Sequence, residues 1–283
     1  MTDPIEIPVV PAATVMIVDD RPDLHVLMVR RTPHVVFGSG MWVFPGGRVD
    51  PADADSFHDL VDGLDDHTAS TDLGVADDGL SYWVAAVRET FEESGVLLAH
   101  PEGETEPVAL DDPGVARRVA GLRDALNRGD RRFLDIVRAE RLRLVLDDVH
   151  YVGRWVTPVG PPRRFDARFF VAHPPTHQEP SHDGGELVDW EWIRPHDALE
   201  GFTEGTFSLM SPTRRMLQSL ALFESADGVM GAARRRLPWE RARAVFLPGG
   251  GYDLALPGQP GYEDGDEEFE HGWVRLRPTG PHR

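Results

Sequence analysis

Residues 81–95, SYWVAAVRETFEESG, narrow what this chain can become more than any other stretch. Val84, Val87 and Phe91 recur at helical spacing and form one apolar stripe, the pattern of a helix laid against a sheet. Ser81 or Asp78 is placed to cap its start, and Gly95 to end it in a left-handed turn. At about 100° per residue, Glu89, Glu92 and Glu93 share an arc roughly 100° wide on the face opposite the stripe. Like charges one turn apart cost roughly 0.2–0.5 kcal/mol per pair, so the crowding calls for a compensating group. A hard divalent cation, which prefers oxygen ligands, is one such group. Arg88, within reach of Glu92 one turn later and of Glu89 beside it, is another. An amphipathic helix with an acidic, solvated outer face satisfies the same spacing with no ion at all.

Upstream, Met41–Phe44 is a short apolar strand that runs straight into Pro45-Gly46-Gly47. A double glycine at that point lets the backbone turn sharply and come close to a ligand. Around these two segments the elements alternate. Val9–Val18 and Leu24–Arg30, joined by Asp20-Arg21-Pro22-Asp23, read as a hairpin, and Val149–Thr157, Phe165–Ala172 and Leu187–Ile193 as further strands. Residues 115–146 read as two helices broken at Asn127–Asp130, and helices are expected from Pro195 and from Pro212 to Phe223. This mixture predicts an α/β or α+β domain with insertions. Residues 54–80 hold eight Asp, no Arg and little hydrophobic periodicity, so they are expected to be a solvent-facing insertion; the Asp spacing fits no EF-hand loop. Residues 226–283, rich in Gly, Pro and acids, are expected either to wrap the domain or to pair with a second copy in a homodimer.

Composition removes several chemistries. Every one of the 29 basic residues is Arg, which excludes a nucleophilic or Schiff-base lysine. With no Cys there are no disulfides, thiolate metal sites or cysteine nucleophiles. A formal charge of −19 argues against binding nucleic acid or an anionic membrane. No apolar run is long enough to span a bilayer and the N-terminus lacks the features of a secretory signal, so a cytoplasmic location is expected. His150, His173, His177 and His182 lack the His-x-x-x-His spacing of a zinc helix. Catalysis, if present, has to come from carboxylates, histidines, hydroxyls or a bound metal.

Taken together, the glycine bend and Arg88-Glu89-x-x-Glu92-Glu93-x-Gly95-Val96 resemble the Nudix hydrolases. Their signature is Gly, five residues, Glu, seven residues, then Arg-Glu-apolar-x-Glu-Glu-x-Gly-apolar. With five residues between, Gly47 is followed by Asp53, where the family usually has Glu, and 34 residues rather than seven separate Asp53 from Arg88. A box split in this way is similar to the branch that includes the peroxisomal coenzyme A diphosphatases. That branch is also similar in Phe44-Pro45-Gly46-Gly47-x-x-Asp50, in Trp155-Val156-Thr157-Pro158 and in Arg163–Phe169. The resemblance extends over residues 9–225, including Glu186, Trp192, Pro195 and Ala198-Leu199.

The resemblance implies a Nudix α/β/α sandwich with a mixed sheet over residues 9–225, an acidic insertion at 54–80, a helical insertion at 111–146 and a C-terminal extension at 226–283. It implies Mg²⁺ or Mn²⁺ held principally by Glu92 and Glu93, with Glu89 either a further ligand or a base that orients the attacking water, a backbone carbonyl of Gly46 or Gly47 as another donor, and Arg88 bracing a glutamate. The reaction implied is hydrolysis of a nucleoside diphosphate linked to another moiety, with coenzyme A or acyl-CoA first among substrates. ADP-ribose or NADH, or a nucleotide-sensing module without catalysis, are the alternatives; isopentenyl diphosphate isomerase chemistry needs a cysteine that this chain lacks. Glu186 is the candidate general base, with Glu179 second. Arg163, Arg164 and Arg168 are candidate phosphate contacts, because a guanidinium pairs with phosphate oxygens in a planar fork; on a strand Arg164 and Arg168 share one face and Arg163 takes the other. Trp42, Phe44 and Trp155 are either base-stacking or core residues.

Overall fold

The first strand of the chain sits in the interior of a nine-stranded mixed sheet. The computed structural model describes residues 7–33, 38–181 and 187–278. Strands β1 (Val9–Asp20) and β2 (Leu24–Arg31) form the expected hairpin, with Asp20 opposite Leu24 and Val18 opposite Val26. The short β3 (Trp42–Val43) pairs with β2, and β4 (Gly46–Arg48) folds back on β1 with Gly46 opposite Thr14. Next come β5 (Val61–Asp62), α1 (Asp66–Leu73), α2 (Leu80–Ser94), β6 (Ala99–Pro101), α3 (Pro113–Asn127), α4 (Phe133–Ala139) and β7 (Leu142–Val145). The chain re-enters the main sheet with β8 (His150–Val156), β9 (Arg164–Ala172) and β10 (Leu187–Ile193). It then forms α5 (Pro195–Glu204), α6 (Ser211–Leu220), α7 (Ala226–Arg234), β11 (Glu240–Arg241), β12 (Arg243–Phe246), β13 (Tyr252–Ala255) and β14 (His271–Val274). The main sheet runs β10-β2-β1-β9-β8-β14-β11; β1 and β9 are parallel and its other pairings antiparallel.

Both faces of β1 are covered, and its period-two alternation divides the core into two layers. Ala13, Val15 and Ile17 pack with the α2 stripe of Val84, Val87 and Phe91. Met16 and Val18 face the other way, onto Met216, Leu217 and Leu220 of α6 and Val229 and Met230 of α7. Helices therefore cover both sides of a mixed sheet, the α/β/α arrangement that was expected. Among the described residues no helix is long and apolar enough to cross a membrane.

Three expectations need correction. Residues 54–80 are folded rather than a solvated loop. Phe57, Val61, Ala69 and Leu73 are buried, and Phe57 stacks on Phe133 at 6.1 Å. The aspartates do structural work: Asp65 caps α1 by accepting the Thr68 N–H, Asp62 pairs with Arg143, and Asp72 with Arg275. Asp66 accepts the Leu80 N–H, so α2 is capped by the preceding helix rather than by Ser81 or Asp78. Irregular spacing of the apolar residues left no periodicity to detect, because short turns, not one long element, carry them inward. Likewise residues 142–145, expected at the end of a helix, form β7, which pairs with β5 and β6. The segment 226–283 enters the main sheet: β14 pairs with β8, His271 opposite Val156, and β11 with β14.

Candidate active site

Helix α2 carries the three glutamates along its last turns and ends at Gly95 in the left-handed conformation (φ 74°). The signature position after Glu89, apolar in most of the family, is Thr90. It is fully buried, and its hydroxyl is satisfied by donating to the Ala86 carbonyl at 2.8 Å. Opposite this face runs β4, and the two glycines there are required by contact. A Cβ on Gly46 would lie 2.4 Å from the Ala13 carbonyl oxygen, and one on Gly47 2.6 Å from the Glu89 carboxylate. Only glycine brings strand and carboxylates this close. The closeness is used: the Gly46 N–H donates to Glu93 at 2.8 Å.

Arg88 organises the rest, with all five of its N–H donors engaged. Nε and Nη2 grip Asp53 at 2.8 and 2.9 Å, Nη1 donates to Glu89 at 2.9 Å and Glu92 at 2.8 Å, and Nη2 also reaches the Arg48 carbonyl at 3.0 Å. Burial opposes the guanidinium charge, but Asp53 and the surrounding carboxylates outweigh it and hold Arg88 protonated. Burial pushes the Glu89 carboxyl up to about 7; Arg88 opposes the shift and Glu92 adds to it.

Glu89, Glu92, Glu93, Gly46 and Gly47 line one wall of a cleft of about 1230 Å³. The donors gathered at the bend are oxygens, which suits Mg²⁺ or Mn²⁺ better than softer ions. As the side chains stand, no three Asp, Glu or His residues among those described are arranged to hold a metal ion. Glu89 and Glu92 are turned to Arg88, and Glu93 to the Gly46 amide.

The other expected residues divide. Arg163 is exposed and lines the cleft. Arg164 and Arg168 do not: they lie on the opposite face of β9, buried, and serve the fold. Arg164 donates to the Thr157 and Ile7 carbonyls; Arg168 donates to the Tyr151 hydroxyl at 2.7 Å and pairs with Asp166. Glu186 lies outside the described residues. Glu179 is exposed, contacts Arg21, and lines a separate cavity of about 750 Å³ that contains none of the three glutamates. Phe44 and Trp155 line the cleft from buried positions, whereas Trp42 stacks on Phe207 at 4.8 Å.

Several cleft residues escaped the sequence reading. Arg31, at the end of β2, faces the same space, as do Ser211 at the start of α6 and Tyr252, Phe269 and Glu270 of the C-terminal segment. Glu270 is buried and accepts from Trp155 Nε1 at 3.0 Å, the Ser211 hydroxyl at 2.6 Å and the Tyr252 hydroxyl at 2.7 Å. Nothing local marks it, since it closes an acidic run whose other members are exposed or half-buried.

The chain is 29% identical to the human "Acyl-coenzyme A diphosphatase NUDT19", over 86% of this chain and 73% of that protein. It is 26% identical to the Xenopus laevis protein of the same name, over 71% of this chain and 60% of that one. A Nudix hydrolase from Alicyclobacillus acidocaldarius has a similar solved structure, with a TM-score of 0.65 and 29% identity, covering 80% of this chain and 97% of that one. The NUDT19 Nudix domain family model matches residues 64–218, more than half of the sequence, and the chain belongs to that family.

Proposed function

We propose that this chain hydrolyses the diphosphate bridge of coenzyme A and its acyl thioesters, releasing a phosphopantetheine and adenosine 3′,5′-bisphosphate. The observation that carries the reaction is the reassembled box: Asp53 and Arg88 meet across the insertion, and the three glutamates converge on the glycine bend of one cleft. The substrate is supported by similarity to the human and frog proteins, both named as acyl-coenzyme A diphosphatases.

A Mg²⁺ or Mn²⁺ ion held by Glu92, Glu93 and the Gly46 carbonyl would neutralise the diphosphate, acidify a water and stabilise the leaving oxygen. The oxygen of water adds to one phosphorus, the bridging P–O bond breaks, and the freed oxygen leaves on the second phosphate. Arg88 keeps Glu89 and Glu92 oriented, and Arg163 pairs with phosphate oxygens from the mouth of the cleft. Glu89 is the carboxylate at the bend, among the described residues, that takes the proton of the attacking water.

Incubation with Mg²⁺ or Mn²⁺ and coenzyme A, decanoyl-CoA, ADP-ribose and NADH, with products identified by mass spectrometry, tests the proposal. Coenzyme A and decanoyl-CoA are cleaved in preference to the other two, chelation stops turnover, and Glu93→Gln lowers it by about 10³-fold or more. Intact coenzyme A beside hydrolysed ADP-ribose or NADH would replace the substrate. Calorimetric binding with no product under either metal would mark a sensing module instead.

A further inference from the structure

The family match ends at residue 218, yet the wall of the cleft facing the glutamates is built partly from residues beyond it. Phe269 and Tyr252 line that wall, their rings 4.9 Å apart at 73°, and Phe246 packs on Phe269 at 5.2 Å and 75°. The aromatic cluster is not closed off from water: Phe269 is 41% exposed, Phe246 58% and Leu247 47%. Across the mouth, Val159 in the β8–β9 loop lines the same cleft and is 84% exposed. Since His271 pairs with Val156, the chain entering β14 and the loop leaving β8 diverge from the same end of the sheet. Val159 and Phe269, both exposed, thus line one opening, with the exposed Phe246 packed on Phe269.

We propose that Phe269 and Val159, with Phe246 packed on Phe269, form a subsite for the fatty acyl chain of a thioester substrate. This rests on the reading of the cleft as an acyl-CoA diphosphatase site. The cleft is polar at the box glutamates, while Phe269 and Val159 offer apolar surface elsewhere in its lining, where Glu268 and the buried Glu270 flank Phe269; a ligand with a charged diphosphate and a hydrocarbon tail matches that pairing. A nucleobase fits this apolar surface less well. The three rings meet one another at 57–75°, so no parallel pair of faces is offered for a flat base, and Phe and Val side chains supply no hydrogen bonds to its edges. A flexible chain packs along ring edges and aliphatic groups without either. The wall is held in place by Glu270, next to Phe269, which ties Trp155 of β8, Ser211 of α6 and Tyr252 of β13 together; it is a positioning residue.

The test compares kcat/KM for decanoyl-CoA with kcat/KM for coenzyme A in the 283-residue chain, in Phe269→Ala and in Phe246→Ser, with thermal melting as the check on folding. The wild type prefers decanoyl-CoA by about 10-fold or more, and each variant lowers that ratio by roughly 5–10-fold, because each removes apolar surface from the tail's environment. A wild-type ratio near one, or a ratio that both variants leave unchanged, overturns the subsite. Titration calorimetry with the same two ligands runs in parallel. If neither compound is hydrolysed, the proposed reaction fails on its own, while tighter binding of decanoyl-CoA that the variants abolish upholds the subsite and equal binding overturns it.

Discussion

Asp53 and Arg88 lie 35 positions apart and are joined by two parallel hydrogen bonds, of 2.8 and 2.9 Å, with Asp53 only 3% exposed. The pair ties the start of the insertion to the glutamate helix. Asp53 also accepts the Asp50 N–H at 2.7 Å, so the turn after β4 is held by the same carboxylate. The extra residues of the split box therefore leave and return without moving the glycine bend away from α2.

Asp53→Ala takes away the partner of a largely buried guanidinium. It lowers stability by about 3 kcal/mol, read from urea denaturation, because the Arg88 charge loses its bidentate contact. Arg88 then orients Glu89 and Glu92 less firmly, and hydrolysis at saturating substrate falls along with stability.

The two glycines of the bend fail in different ways. Gly46→Ala meets backbone, the Ala13 carbonyl and Thr14 Cα, and costs about 2–3 kcal/mol of stability. Gly47→Ala meets only the end of the Glu89 side chain, which can rotate away. It melts within a few degrees of wild type but loses roughly 10²-fold in kcat, because the carboxylate is displaced.

Arg163 and Arg168, alike in sequence context, separate by experiment. Arg163→Ala raises KM for the diphosphate substrate by roughly 10-fold and leaves the melting temperature unchanged, since the side chain is exposed at the cleft. Arg168→Ala lowers stability by about 1–3 kcal/mol, because the buried Tyr151 hydroxyl loses its donor while Asp166 keeps its bidentate pair with Arg154.

Asp62 tests the order of the 54–80 segment through pH. Its hydrogen bonds from Arg143 hold its carboxyl below the ordinary 3.8 against the opposing effect of burial, with smaller help from the Arg143 charge and the His100 bond. A carboxylate with a lowered folded value stabilises above its unfolded value and loses that contribution as the pH falls through the folded one. Asp62→Asn therefore destabilises by about 0.5–1 kcal/mol at pH 7, the size set by partial solvent exposure, and the difference shrinks as the pH is lowered below the ordinary carboxylate value and through the folded one. A loss that stays constant as the pH falls would contradict the ion pair.

Much of the site is legible locally. The α2 stripe, Gly95 as its C-cap, the β1–β2 hairpin and the placement of Arg88 beside Glu89 and Glu92 all follow from spacing alone. What spacing does not reveal is the direction in which a residue is used. Alternation along β9 correctly separates Arg163 from Arg164 and Arg168, but it does not say which face meets the cleft. Asp62, Asp65, Asp66 and Asp72 look like one solvated acidic stretch, yet two of them cap helices and two pair with arginines far along the chain.

By itself, the order of residues determined the helix with its three glutamates, the glycine bend before it and the absence of thiol and lysine chemistry, because these depend on neighbours within one turn, on allowed backbone angles and on composition. Only the tertiary structure decided that Asp53 meets Arg88 across the insertion, that Arg168 is sealed beneath the sheet, and that Glu270 locks a C-terminal wall against Trp155. Those contacts arise when burial brings distant charges and rings out of water together, and their energies depend on a separation in space that has no counterpart in separation along the chain.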